Sequence, residues 1–206
     1  MAASEKIEDG RPAELREQLE LHGLELSSDG HIKWMKTNPA HPRNWSATRK
    51  AYNTTVILLL ELVTTMNGTA GTPVADAAQH TYGIDQSLAV FIFTSTYILG
   101  QGLGGIFFPP FSEVTGRKTL YVTSSILYCI FCIIAAAVPS VAAAVVARFI
   151  TGVLSAIPTV VTAGSIEDVF NIQDRVWMIF AWVTIGNVAL SLGPILSTYV
   201  SEALGW

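Results

Sequence analysis

The chain has 206 residues, 50% of them hydrophobic and only 14% charged, with a mean hydropathy of +0.44. Soluble domains carry about 25% charged residues, so a wholly soluble fold is excluded, and a net charge of −4 argues against nucleic-acid binding. Of the 12 basic and 16 acidic side chains, eight of each lie in residues 1–50. The net negative charge therefore belongs to the apolar remainder. This partition predicts a cytoplasmic N-terminal tail over 1–50 and a membrane bundle over 51–206.

The opening MAASEKIEDG has no apolar core, so no cleavable secretory signal is expected. Residues 9–26, DGRPAELREQLELHGLEL, carry the marks of a short helix: Asp9 to cap it, Pro12 in the first turn, and leucines near helical spacing. Their high charge and the SSDGH that follows predict a marginal or disordered element. Residues 38–50, NPAHPRNWSATRK, read as a turn-rich juxtamembrane linker.

Five apolar runs follow, over 51–72, 88–108, 119–138, 141–165 and 176–200. Crossing the hydrocarbon core takes roughly 20 apolar residues, and a backbone that must satisfy its own polar groups in lipid favours helices. The expected class is an all-α membrane protein with five transmembrane helices. Arg43, Arg49 and Lys50 precede the first run, Arg117 and Lys118 separate the second and third, and Arg175 separates the fourth and fifth. The loops between them, 73–87 and 139–140, and residues 201–206 hold no Lys or Arg. The positive-inside rule then places the N-terminus in the cytoplasm and the C-terminal end outside. The last residues, SEALGW, stop where a next helix is expected to begin, so the chain reads as truncated.

Two ionisable residues lie deep in the runs, Glu61 and Arg148. A charge at a helix centre costs roughly 2.5–3.5 kcal/mol on insertion scales, so each is expected to be paired or to face water. At 1.5 Å per residue, Glu61 is about 15 Å from the start of its span and Arg148 about 10 Å from the start of its own. In a core about 30 Å thick their depths differ by about 5 Å, and the expectation is that they line one polar cavity and pair in at least one state. The alternative is that Glu61 meets a lipid defect or an oligomer interface while Arg148 snorkels. Small residues mark close helix contacts at Gly100 and Gly104 in the second span and at Gly152, Ser155 and Ala156 in the fourth. Pro158 and Pro194 permit kinks in the fourth and fifth.

Cys129 and Cys132 form a CxxC inside an apolar run without an accompanying His, Asp or second Cys pair, and read as packing thiols. No metal or other cofactor is expected. His22, His31, His41 and His80 all lie outside the runs, and no nucleophile–base cluster is present, so an intramembrane enzyme is disfavoured.

FSEVTGRK, residues 111–118, resembles motif A of the major facilitator superfamily, G-x-L-a-D-r-x-G-R-K/R, with Glu113 at the acidic position, Gly116 at the glycine, and Arg117 and Lys118 at the basic pair. Its form P-x-S-E-x-x-G-R-K is similar to that of fungal drug:proton antiporters. Pro109 stands at the leading glycine position and Val114 at the usual Arg. RFITGVLSA, residues 148–156, resembles motif B through Arg148 and Gly152, and Gly193-Pro194 matches part of a degraded antiporter motif C. The PRNWS stretch, residues 42–46, and the closing SEALGW are similar to the same subfamily.

The resemblance covers about residues 42–206 and implies most of one six-helix half of a twelve-span transporter. By that resemblance the chain exports a drug or secondary metabolite in exchange for protons from the plasma membrane, by alternating access with a missing C-terminal half. Arg148 would help proton or substrate coupling, and Glu61, on its depth and burial cost rather than on a motif, would be the exchangeable carboxylate. Glu113, paired with Arg117 and Lys118 around Gly116, would gate. Gly100, Gly104, Gly152, Gly193 and Pro194 would serve packing or kinking. A nutrient uniporter or symporter of the same superfamily, and a non-transporting membrane fragment, are the alternatives.

Overall fold

The computed structural model describes residues 19–26, 32–34, 38, 41–137 and 140–204. These fall into two units, residues 1–50 and 51–206, each described by itself. Most of the tail expected to be disordered lies outside the described residues, as do residues 9–18 of the expected short helix. Residues 19–21 are helical. The last part of that expectation is corrected: Leu24–Leu26 (β1) pairs antiparallel with Ile32–Trp34 (β2), Leu24 opposite Trp34 and Leu26 opposite Ile32. Gly23, at φ 71°, ends the helical turn before it; Leu-Glu-Leu then alternates as a strand does, and pairing satisfies its backbone groups. Further along, Pro42–Asn44 forms one tight turn, with His41 Nδ1 accepting from the Arg43 amide at 3.0 Å, and the Arg49 guanidinium lies 4.1 Å from the centre of the Trp45 ring.

Beyond residue 46 the described chain is helical: α1 (Ala47–Thr69), α2 (Gly71–Tyr82), α3 (Gln86–Thr115), α4 (Arg117–Ala137), α5 (Val141–Val169) and α6 (Ile172–Leu204). Four of these, α3, α4, α5 and α6, are long and apolar enough to cross a membrane. The five-span expectation is therefore corrected in count while the all-helical membrane class holds. The expected first span falls on α1, which has the length, 23 residues. Asn53, Thr54, Thr55, Glu61, Thr64, Thr65 and Asn67 dilute its apolarity. Those polar residues are largely turned inward, with Thr54, Glu61 and Thr64 buried.

The loop expected over 73–87 is also corrected. Most of it is α2, which carries Ala75 and Ala78 into a tight apolar cluster with Ala89, Ile92 and Phe93 of α3 and Ala144 of α5. Asp85 starts α3, its Oδ2 accepting from the Ser87 amide at 3.0 Å. Towards the other end of the helices a second cluster joins Leu120 and Tyr121 of α4 to Ile157 and Val161 of α5, with Ile57, Leu60 and Phe108 against it.

Helix α5 is the centre of the bundle: 56% of its apolar stretch is buried, against 17% for α4 and 11% for α6. It meets α3 at very short range. A Cβ on Gly100, Gly104 or Gly152 would lie only 2.2–2.4 Å from a backbone oxygen of the facing helix, those of Phe149, Val153 and Tyr97 respectively. Glycine is what allows the two backbones to touch. Two wide π turns interrupt these helices, Phe91–Ser95 in α3 and Ile157–Val161 in α5, the latter containing Pro158. Such turns release backbone groups and recur at functional sites.

Candidate functional site

Two groups of buried polar side chains surround the two ionisable residues deep in the bundle, Glu61 and Arg148. The first surrounds Glu61, which is 5% exposed. Its Oε1 accepts from the Thr65 hydroxyl at 3.2 Å, one turn further along α1. Its Oε2 is fully buried and, among the described residues, has no hydrogen-bond partner. Thr159, in the π turn of α5, faces the carboxyl, but its hydroxyl proton is directed to the Ser155 carbonyl at 3.0 Å while it accepts from Gln101 Nε2 at 3.3 Å. Gly186 of α6 lies against the same carboxyl; a Cβ there would sit 3.7 Å from Oε1. Helices α1, α5 and α6 thus converge on one carboxyl group whose second oxygen is unsatisfied.

The second group surrounds Arg148, 8% exposed. Its Nη1 donates to the Asn67 backbone carbonyl at 3.1 Å and to Asn67 Oδ1 at 3.2 Å. Asn67 Nδ2 in turn donates to the Tyr128 hydroxyl at 2.6 Å and approaches Cys132 Sγ at 3.6 Å. The guanidinium sits 5.9 Å from the Phe93 ring centre and 5.8 Å from that of Tyr97, whose hydroxyl donates to the Thr64 carbonyl at 2.8 Å. Phe93 belongs to the π turn of α3, so each buried charge has one π turn beside it.

Glu61 and Arg148 are not paired here. Arg148 is held at Asn67, six residues beyond Glu61 on α1, about 9 Å along the axis. Among the described residues the ion pairs are Arg117 with Asp168 and Arg175 with Glu167. The depth argument from sequence placed Glu61 and Arg148 at similar levels but could not see that Asn67 offers Arg148 two acceptors at closer range.

The GRK stretch is arranged differently from expectation as well. Gly116, with φ 87° and ψ 132°, breaks the chain between α3 and α4. Arg117 leans onto α5: its Nε is 3.0 Å from Asp168 Oδ2, and Nη1 donates to the Val161 carbonyl at 3.3 Å and to Ser165 Oγ at 3.4 Å. The side chain passes over Gly164, where a Cβ would lie 2.3 Å from Nη1. Glu113 and Lys118 are exposed. Glu113 makes no ion pair among the described residues, which corrects its expected pairing with Arg117 and Lys118. The missed partner is Asp168, 51 positions beyond Arg117. Its sequence signal was the Glu167-Asp168 pair just beyond the fourth run. Gly193 sits where α6 crosses α1, its Cβ position 2.0 Å from Thr69 Oγ1, and Pro194 follows inside α6, its carbonyl accepting from Ser197 and Thr198.

Two expected results follow from this corner. Gly116→Ala places a Cβ on a backbone that L-residues avoid and is expected to lower stability by about 1–3 kcal/mol, read as the thermal unfolding of the detergent-purified protein. The Arg117–Asp168 pair is partly exposed, at 26% and 51% of the side chains, so Asp168→Asn is expected to change stability by no more than about 1 kcal/mol. Arg117→Ala removes two further hydrogen bonds and the cover over Gly164, and is expected to lower the unfolding temperature more than Asp168→Asn does. Equal effects of the two would contradict this assignment.

Comparison with known proteins agrees with the motifs. The family model described as Major Facilitator Superfamily matches residues 57–206. The MFS-type transporter traF of Penicillium crustosum is 29% identical over 171 residues, covering 82% of this chain and 35% of that protein. The MFS transporter cpaT of Aspergillus oryzae is 31% identical over 182 residues, covering 82% and 34%, and the efflux pump radE of Floropilus chiversii 28% over 170 residues, covering 82% and 31%. The chain spans about a third of the length of these curated relatives. No solved structure matches it.

Proposed function

We propose that this chain, which belongs to the Major Facilitator Superfamily and is a multi-pass membrane protein of a transporter family, forms part of a proton-coupled exporter of drugs or secondary metabolites. Glu61 is the group that takes up and releases the proton. The observation that carries this reading is its buried Oε2 without a partner. An ionised carboxylate left in that state is costly by several kcal/mol, and the cost is relieved either by a proton or by exposure of the site to water. A residue with those two remedies ties protonation to which side of the bundle is open.

Arg148 serves substrate coupling in this reading, held in place by Asn67 and the two aromatic rings. The Gly116–Arg117–Asp168 corner, with Glu113 and Lys118 exposed beside it, gates the movement of this bundle against a second half that the longer relatives have room for. A partly exposed ion pair suits that role, since making and breaking it shifts an equilibrium by only about 1 kcal/mol. The efflux pump named among the relatives supports the direction of transport. The basic residues Arg43, Arg49, Lys50, Arg117, Lys118 and Arg175 support a cytoplasmic N-terminus, and the plasma membrane is the site of export.

The test is flux through the full-length protein, expressed from the complete reading frame and reconstituted into vesicles with an imposed pH gradient. Rhodamine serves as an organic cation probe and carboxyfluorescein as an organic anion probe, and a dye reports lumenal pH. Proton movement that accompanies probe movement, in the opposite direction, is the expected result. Probe flux indifferent to the gradient would refute proton coupling.

A further inference from the structure

The Arg148 group has a property that proton coupling leaves unused. Among the described residues, Glu61 Oε2 is the only fully buried side-chain nitrogen or oxygen that lacks a hydrogen-bond partner. Arg148 Nε and Nη2 have no protein acceptor either, since both hydrogen bonds of the guanidinium come from Nη1. Neither atom is fully enclosed, although the residue as a whole is only 8% exposed. The ionisable groups that act on the guanidinium are Tyr97, Tyr128 and Cys132, none of which is a carboxylate. No carboxylate of α1, α3, α4 or α5 forms an ion pair with it.

A guanidinium more than nine-tenths buried, charged under all ordinary conditions, and without an anion is an incomplete pair. Its free edge, Nε with Nη2, presents two parallel N–H donors in the geometry that a carboxylate accepts in bidentate fashion. Nη1 is fixed by Asn67, so the plane of the fork is set before any ligand arrives, which lowers the entropy lost on binding. The surroundings are apolar and aromatic, Phe93 and Tyr97 lying at 5.9 and 5.8 Å.

We infer that Arg148 Nε and Nη2 form the anion subsite of this bundle and bind the carboxylate of a small organic acid with an apolar body. The inference rests on the transport reading and narrows its substrate to a class. Glu61 and Arg148 then divide the work: one exchanges the proton, the other holds the anion, and the two need not touch.

Binding to the purified full-length protein in detergent tests this without flux. Benzoate is the probe; benzamide has the same shape without the charge, benzylamine reverses the charge, and chloride is a bare anion. Benzoate is expected to raise the unfolding temperature and to bind at least tenfold more tightly than benzamide or benzylamine. Arg148→Gln is expected to lose at least tenfold of that affinity and Arg148→Lys to keep part of it. If Arg148→Gln fails to fold, the ligand series on the unaltered protein still decides. Equal binding of benzamide, preference for benzylamine, equal protection by chloride, or unchanged benzoate affinity in a folded Arg148→Gln would each overturn the inference. Proton-driven rhodamine flux in a protein that ignores benzoate would sink the anion subsite and leave the transport reading standing. Arg148-dependent benzoate binding without any proton-driven flux would do the reverse.

Discussion

Glu61→Gln is expected to abolish proton-driven accumulation by the full-length protein while leaving the protein folded. The substitution keeps the shape of the side chain and can retain an oxygen for the Thr65 hydroxyl, but it removes the group able to exchange a proton. A pH difference of one unit supplies about 1.4 kcal/mol per proton, about a tenfold concentration ratio at equilibrium. In the variant the ratio of probe across the membrane is expected to fall to about one at the same gradient. The vesicle assay with an imposed gradient measures this, with thermal unfolding as the check on folding. Glu61 is touched by α1, α5 and α6 at once, so a change in its charge is felt by three helices.

Gly152→Val is expected to have the largest effect on stability. The added Cβ would lie 2.2 Å from the Tyr97 carbonyl oxygen, with the Tyr97 carbonyl carbon and Cα at 2.9 and 3.0 Å. All three are backbone atoms of α3, so the clash cannot be relieved by turning a side chain. The helices must separate, and Tyr97 then loses its hydrogen bond to Thr64 and its place beside Arg148. Overpacking costs about 1–3 kcal/mol and occasionally more, and a clash with backbone atoms falls at the upper end. Gly102→Ala is the matched control, because nothing lies within 4 Å of its Cβ position and Ala is favoured over Gly in a helix by about 1 kcal/mol. A lowered unfolding temperature for Gly152→Val with an unchanged or raised one for Gly102→Ala is expected. Equal behaviour of the two would contradict the close α3–α5 contact.

The bundle was legible in the sequence wherever the signal was local and repeated. Runs of apolar residues mark α3, α4, α5 and α6 because length and composition alone decide whether a helix suits lipid. The Gly100, Gly104 and Gly152 spacing points to close packing for the same reason: small residues one turn apart make a groove whatever fills it. Pairings across the bundle were not legible. Arg148 finds Asn67, 81 positions away, and Arg117 finds Asp168, and neither choice follows from depth or from sign of charge alone. Asn67 wins because one residue offers two acceptors. Asp168 wins over Glu113 because the backbone at Gly116 leads Arg117 onto α5. Helix α2 was missed because residues 73–87 read as a loop between two apolar runs, whereas Ala75 and Ala78 are buried against Ala89, Ile92, Phe93 and Ala144, residues remote in sequence. The two π turns leave no periodic trace at all.

The proton balance of Glu61 is the most direct measure of this account. Potentiometric titration of the detergent-purified full-length protein, compared with Glu61→Gln across the physiological range of pH, reports how many protons the side chain exchanges. The account predicts that the unaltered protein takes up about one more proton than the variant over that range. Titration curves that superimpose would mean that Glu61 never changes its protonation where the protein works, and the coupling role assigned to it would be wrong.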